Sequence, residues 1–418
     1  MLKNLLSTTA SRLIIAFFNL GIVWISARFM GAEILGTISL IILGISIIQL
    51  VTSILAGSSL VYQVSRHPIA ELLIIAWAWI IIGGIPVWAI LVLLDLIPAG
   101  FTIDVYILAM LGSIITINQN IFLGKEKVNL FNLMAVLQSV LVLVPMLYFV
   151  ILKNWIDTSA YVASQYVSMG ACSLIGVIMN IPRLKDFKIP KRFVIREAFK
   201  FGGFLQAASI MQLFNYRLSY YLIEKFFDRA TLGIFSLGVQ IAESVWIISK
   251  SMAVLLYSRL SNNRDGEYAV NLTISFIKAT TFITLFMLLV IIVLPKEFFA
   301  LIFQKEFSSI TTVIGSLSIG IMAMAISLMY SHFFSGTGRP VYNTISSGLG
   351  LILTILSGFT LIPIMGLIGA GFTASISYLG SMIYQVIMFS KVTGIKSRDY
   401  IPVKSDISKV MKEVKTLV

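Results

Sequence analysis

The sequence predicts an all-α integral membrane protein: 12 transmembrane helices in two six-helix lobes related by a pseudo-two-fold axis along the membrane normal. Three observations lead there. First, 58% of the 418 residues are hydrophobic and only 12% are charged, giving a mean hydropathy of +0.97. Second, apolar runs of about 20 residues recur throughout, the length a helix needs to cross a hydrocarbon layer about 30 Å thick. The alternating pattern of a membrane barrel is absent. Third, a polar stretch near the middle, 182–200, carries seven cations against Asp186 and Glu197, with six apolar segments on either side.

Taken in order, the spans run over Leu5–Phe29, Leu35–Ala56, Leu72–Leu96, Tyr106–Leu123, Leu130–Leu152 and Ala160–Ile181. After the polar stretch come Phe201–Phe226, Leu232–Leu256, Val270–Leu294, Val313–Phe334, Val341–Ile364 and Ile368–Phe389. The first segment is too long for a cleavable signal peptide and shows no small-residue cleavage site, so it reads as a spanning helix. The implied organisation is an N-terminal lobe over 1–181, a basic cytoplasmic hinge over 182–200, a C-terminal lobe over 201–393 and a cytoplasmic tail over 394–418. Orientation follows from the cations. With the N-terminus inside, 21 of the 31 Lys and Arg fall on inner flanks, 6 on outer flanks and 4 within spans. The acids show no such bias. Both termini are therefore expected in the cytoplasm.

The two halves resemble copies. Phe29 to Leu40 aligns without gaps on Phe226 to Leu237, matching in Phe, Leu, Gly, Ser and Leu. The end of span four, Phe122 to Lys127, answers the end of span ten, Phe334 to Arg339. An even number of spans per half gives both copies the same orientation, an arrangement in which substrate binds near mid-membrane and the lobes rock about it.

Several functions are disfavoured. No soluble domain and no long outer loop offers room for a catalytic site, and no Gly-rich phosphate loop encodes an ATP-driven motor. The net charge of +13 lies along the membrane flanks rather than in a nucleic-acid-binding patch. Cys172, alone in an apolar segment, reads as a small packing residue. His67 and His332 lack metal-type partners, so no metal site or cofactor is expected.

An ionised side chain at mid-bilayer costs about 2.5–3.5 kcal/mol on insertion scales, so each one needs a reason. Arg12, Asn19 and Ser26 recur at intervals of seven on one face of span one; they line either a cavity wall or a snorkelling and helix-pairing stripe. Span seven carries Gln206, Gln212, Asn215 and Arg217 beside Tyr216, Tyr220 and Tyr221. Glu243, near the centre of span eight, is the only acid away from the span ends, with Gln240 three residues before it and Lys250 two turns beyond. It is a candidate partner for Arg217, a proton-titrating group or a member of a structural ion pair. Lys278, Asn118, Gln119 and Asn120, with Gln49, Gln138 and Gln165, complete the polar set. The candidate cavity residues are thus Arg12, Asn19, Asn118, Gln119, Gln206, Asn215, Arg217, Gln240, Lys250 and Lys278, with Glu243 as a candidate ion-coupling site.

Six stretches carry a family resemblance: Ala27 to Gly36, Tyr216 to Ile223, Leu232 to Glu243, Leu301 to Phe307, Gly366 to Gly371 and Arg398 to Pro402. With these in order over 12 spans, the chain resembles a polysaccharide or O-antigen flippase of the multidrug/oligosaccharidyl-lipid/polysaccharide exporter superfamily along essentially its whole length. It departs from the pattern at Gln304, where Gly is expected, and after Arg217, where an acid is often found. The resemblance implies a non-enzymatic, multi-pass protein of the bacterial cytoplasmic membrane. It would move undecaprenyl-diphosphate-linked oligosaccharide from the inner to the outer leaflet by alternating access, in O-antigen and lipopolysaccharide synthesis beside polysaccharide polymerase machinery. The cations would attract the diphosphate, the amides would meet sugar hydroxyls, and the prenyl tail would stay in lipid. The driving force would be the membrane potential, about 2.3 kcal/mol per charge per 100 mV, or H⁺ or Na⁺ coupling at Glu243. The alternatives are an H⁺- or Na⁺-coupled drug exporter of the same superfamily, a flippase for the cell-wall lipid precursor, and a membrane polysaccharide polymerase or ligase.

Overall fold

A chain with so few charges satisfies its backbone in lipid only by bonding within each segment, and helices do this without partners. The computed structural model describes residues 2–64, 66–180, 192–262 and 265–395, and among these the regular structure is entirely helical. In order, the helices are α1 (Leu2–Ile25, continued by a π-helical turn at Ser26–Met30), α2 (Ala32–Ala56), the short α3 (Ser58–Gln63), α4 (Ile69–Leu93) and α5 (Thr102–Gly124). Then come α6 (Val128–Leu147, with a π-helical turn at Tyr148–Leu152), α7 (Thr158–Asn180), α8 (Arg192–Phe226), α9 (Arg229–Ser244) and α10 (Trp246–Asn262). The last four are α11 (Gly266–Val293), the short α12 (Lys296–Ile302), α13 (Ile310–Gly336) and α14 (Val341–Thr393).

Nine of these helices, some with their flanking turns, are long and apolar enough to cross a membrane, and α9 with α10 passes as one bent span. The 53-residue α14 is two spans joined at Gly366, whose φ of 56° and ψ of −126° leave the helical region. The 35-residue α8 makes the twelfth and is less apolar than the others, because it carries Gln206, Gln212, Asn215 and Arg217 along its length. Large apolar side chains face outward along these helices, Leu93, Phe282 and Leu356 among them, as lipid-facing surfaces require.

The structure corrects three expectations. The hinge over 182–200 is not all linker: residues 181–191 lie outside the described set, but 192–200 form the first turns of α8. They are helical because Val194 and Ala198 bury themselves among Leu55, Leu60, Val64 and Leu72, while Phe199 packs edge-on against Trp79 at 4.7 Å. Span eight is not one straight helix but breaks by 45° between α9 and α10. And Ser26, in the π-helical turn, is buried while Arg12 and Asn19 are exposed, so the stripe on span one does not run its full length. Of the expected tail, residues 396–418 lie outside the described set.

The chain divides into two compact units, Met1–Ile210 and Met211–Val418, a boundary that falls within α8. In the first, α5 packs against α2, α4, α6 and α7, and α1 against α6. In the second, α13 plays the part of α5, packing against α9, α10, α11 and α14. The local geometry repeats as well. The aligned positions Gly31 and Asp228 are the N-caps of α2 and α9. Gly31 turns the chain with a φ of 87°; Asp228 instead accepts a hydrogen bond of 2.7 Å from the Thr231 amide.

The ends of α5 and α13 match bond for bond. Lys125, Glu126 and Lys127 donate their amides to Ile121, Leu123 and Phe122; Thr337, Gly338 and Arg339 donate theirs to Phe333, Ser335 and Phe334, all within 2.7–3.3 Å. This is a Schellman closure, which needs a left-handed residue at its penultimate position. That residue is Glu126 at φ 58° in one copy and Gly338 at φ 76° in the other.

Without a hydrophobic drive between helices in lipid, close packing depends on small residues. Ser316 and Gly320 of α13 face Gly371 and Ser375 of α14, two small-xxx-small pairs. The Ser375 hydroxyl donates to the Ser316 carbonyl at 2.7 Å and accepts the Gly320 amide at 3.1 Å. A Cβ on Gly320 would lie 2.6 Å from the Ser375 backbone Cα, closer than side chains approach.

Two outcomes follow for the detergent-solubilised protein, both checked by thermal melting. Gly320→Ala overpacks the α13–α14 contact and costs about 1–3 kcal/mol, whereas Gly170→Ala, at a helical position where a Cβ meets nothing within 4 Å, is neutral or slightly stabilising. Gly338→Ala costs about 1 kcal/mol, while Glu126→Gly, at the matching left-handed position, stabilises by relieving the same conformation.

Candidate functional site

The polar residues of α8 and α9 meet within the second unit. Arg217, on α8, directs its fork at Glu243, near the end of α9: Nη1 donates to Oε1 and Nη2 to Oε2, both at 2.8 Å. Two parallel charge-assisted bonds make this the strong form of an arginine–carboxylate pair. The side chains keep 23% and 17% of their surface, so the pair is largely but not fully buried. The acid missing from the sequence after Arg217 is supplied in space, 26 residues later.

Around the pair stands a wall of rings. The Arg217 guanidinium carbon lies 5.3 Å from the Tyr220 ring centre. Tyr216, Trp246 and Tyr378 form a closed triangle, with centroids 5.4 Å (Tyr216–Tyr378), 5.9 Å (Trp246–Tyr378) and 6.1 Å (Tyr216–Trp246) apart. Two of the polar tips are tied down: Gln212 donates to the Tyr216 hydroxyl at 2.7 Å, and the Trp246 indole donates to the Ile321 carbonyl at 2.9 Å. Lys250 sits 5.5 Å over the Trp246 ring. Tyr378 enters from α14, far along the chain, and only its aromatic character hinted at it.

The break between α9 and α10 falls beside Glu243, and its cause is local. The Ser244 hydroxyl donates to the Ile241 carbonyl at 2.6 Å, a back-bond that bends helices, and the Val245 amide bonds the Ala242 carbonyl one residue short of the α-helical partner. Interrupted membrane helices of this kind place backbone and side-chain groups at substrate and ion sites.

The other expected cavity residues separate into two sets. Asn118 is fully buried in the first unit, donating to the Ile114 carbonyl at 2.9 Å and accepting from Asn180 at 2.6 Å. Asn215 is buried in the second, where its carbonyl oxygen accepts from Thr354 at 2.8 Å and from Ser377. Both are spent on joining helices, the commoner use of a membrane amide, and neither is open to a solute. Gln119, Gln206 and Gln240 are partly exposed; Arg12, Asn19 and Lys250 are exposed; Lys278 is partly buried on α11 and not free. Gln165 is occupied by the Tyr161 hydroxyl at 2.6 Å. Cys172 is fully buried, as its packing role requires. Among the described residues no group of three His, Cys, Asp or Glu is placed to hold a metal ion.

No family model and no curated protein matches the sequence. Solved structures do match. An inward-facing multidrug resistance MATE family transporter of the MOP superfamily aligns with a TM-score of 0.69 at 14% identity, over 98% of this chain and 96% of that one. A MOP superfamily transporter from Pyrococcus furiosus, described as having a binding pocket of reversed polarity, aligns at 0.65 and 17% identity, over 94% and 95%. A Vibrio cholerae MATE transporter in its bent form aligns at 0.59 and 16% identity, over 94% and 97%. At these identities the similarity is one of fold: the chain is a multi-pass, all-α membrane protein with the 12-helix, two-lobed architecture of the MATE transporters of the MOP superfamily.

Proposed function

We propose that this protein is a secondary active transporter that exports an amphiphilic solute, with protonation of Glu243 as the coupling step. The observation that carries the reading is the bidentate Arg217–Glu243 pair beside a broken helix. A proton on a Glu243 oxygen removes the carboxylate charge and one of the two acceptors, so Arg217 keeps a single bond to a neutral oxygen. The guanidinium, held by that bond and the face of Tyr220, is then freer to swing. The tightened turn at Val245 gives α9 and α10 somewhere to bend, so one local charge change can bias two arrangements of the helix pair. The ring triangle of Tyr216, Trp246 and Tyr378 offers flat apolar faces suited to an aromatic or amphiphilic solute. Among solved structures of this fold is a multidrug resistance transporter, which supports the same direction.

A second reading is translocation of a lipid-linked oligosaccharide, driven by the membrane potential. It is favoured by the exposed Arg12 and Lys250 and by the marks shared with polysaccharide flippases. In this reading Arg217, once released, meets a diphosphate, which its planar fork suits. Both readings place the protein in a bacterial cytoplasmic membrane with its termini inside, working by alternating access without catalysis.

Efflux of ethidium from proteoliposomes separates the two. Under the first reading, efflux follows an imposed pH gradient, and Glu243→Gln lowers the gradient-dependent rate at least about tenfold while leaving downhill exchange. If efflux ignores the pH gradient, and deletion of the gene traps lipid-linked oligosaccharide on the inner leaflet, the second reading takes its place. Stability gives an independent check on the pair. Arg217→Ala and Glu243→Ala should each cost about 1–3 kcal/mol, less than the roughly 3–5 kcal/mol of a fully buried pair. The double variant should cost less than their sum. Arg217→Lys should not restore the wild-type melting temperature, because an ammonium cannot bond both oxygens in parallel.

A further inference from the structure

The first turns of α8 carry a feature the transport site does not use. Arg192, Phe193, Arg196 and Lys200 are all exposed, and Phe193 keeps 68% of its surface. At 3.6 residues per turn these four positions fall within about 100° of arc. Val194 and Ala198, each 3% exposed, lie on the opposite side, in the core of the first unit. The segment is held there from several directions. Phe199 stacks edge-on against Trp79, and the Ser59 hydroxyl donates to the Ala198 carbonyl at 3.4 Å. Glu197 lies 3.5 Å from the imidazole of His67. The basic arc is therefore fixed in place by the protein behind it.

Its surroundings reinforce its sign. The turn closing α5 packs against α3, with Gly124 beside Val61 and Val64, and the same Val64 supports α8. That turn brings exposed Lys125 and Lys127 to the same end, against exposed Glu126. Of the other acids described nearby, Glu197 faces His67 and Glu71 is buried at 6% exposure. Depth follows from length: a helix of 35 residues is about 52 Å long, while the hydrocarbon layer takes about 30 Å. Counting back from Phe226, about 20–25 residues fill the layer, which leaves 192–200 at the level of the lipid headgroups.

We propose that this face is a binding site for anionic phospholipid headgroups of the adjoining leaflet. Arg192, Arg196 and Lys200 would contact the phosphates, and Phe193 would seat among the upper acyl carbons. A fixed helix face that pairs cations with one large apolar side chain is what an interfacial helix presents to a charged bilayer. The site lies wholly in the first unit and stands independently of what the protein transports.

The test uses the full chain in detergent, titrated with phosphatidylglycerol or with phosphatidylcholine, reading apparent affinity from the rise in melting temperature. Wild type should bind phosphatidylglycerol about tenfold or more tightly than phosphatidylcholine, and 0.5 M salt should remove most of that preference. The variant Arg192→Gln/Arg196→Gln/Lys200→Gln should lose it at any salt. Lys153→Gln/Lys225→Gln/Lys296→Gln, which removes equal charge elsewhere, should keep it. The proposal is overturned if wild type shows no preference, if salt leaves it intact, if the first triple variant keeps it, or if the second loses it equally. It is also overturned if inorganic phosphate at the same concentration reproduces the shift, which would mark a free-anion site.

Discussion

The constraint on which everything else depends is that hydrocarbon offers no hydrogen bonds. A backbone group or charge left alone there costs several kcal/mol, so each polar feature of the chain must find an internal partner. Most do. Serine and threonine hydroxyls along α2, α5, α7 and α13 bond carbonyls on their own helix three or four residues back. Amides bridge helices, as Asn118 and Asn180 do. Small residues let α13 and α14 approach closely enough for their hydroxyls and amides to meet. Such economy makes the exceptions informative.

The Arg217–Glu243 pair is the main exception. It is satisfied, but it is not fully buried, and it sits where the helix is already bent. A carboxylate that must choose between an arginine and a proton is a two-state device when its surroundings can follow the choice. The Ser244 back-bond and the short turn at Val245 provide that freedom while pairing the Ile241 and Ala242 carbonyls. The rings around the pair do two jobs at once: Tyr220 gives the guanidinium an alternative face, and the triangle of Tyr216, Trp246 and Tyr378 keeps the wall rigid while leaving it apolar.

Duplication is visible at the level of individual hydrogen bonds, which is more specific than matching letters in an apolar sequence. The Schellman closures of α5 and α13 share all three bonds although only Phe and Gly match between Phe122–Lys127 and Phe334–Arg339. Closure geometry tolerates varied side chains because it is made by the backbone; only its left-handed position is selective, and there one copy has Gly338 and the other tolerates Glu126. The N-caps show the converse. Gly31 and Asp228 occupy the same place but do so by unrelated means, one conformational and the other a side-chain acceptor.

By itself the sequence determined the class of fold, the spans and their approximate ends, because hydrophobic length is a local property and the bilayer reads it directly. It also singled out Arg217 and Glu243, since a charge in an apolar run is costly wherever it lies. It could not say that the two face each other, that Tyr378 completes their wall, or that Asn118 and Asn215 are already committed to neighbours. Nor could it show that α8 begins within the basic stretch. Those outcomes depend on which helices pack together and at what rotation, and an apolar helix can present any of its faces to lipid at nearly equal cost. Only the contacts between helices choose, and in doing so they separate the polar residues that hold the bundle together from the few left to act.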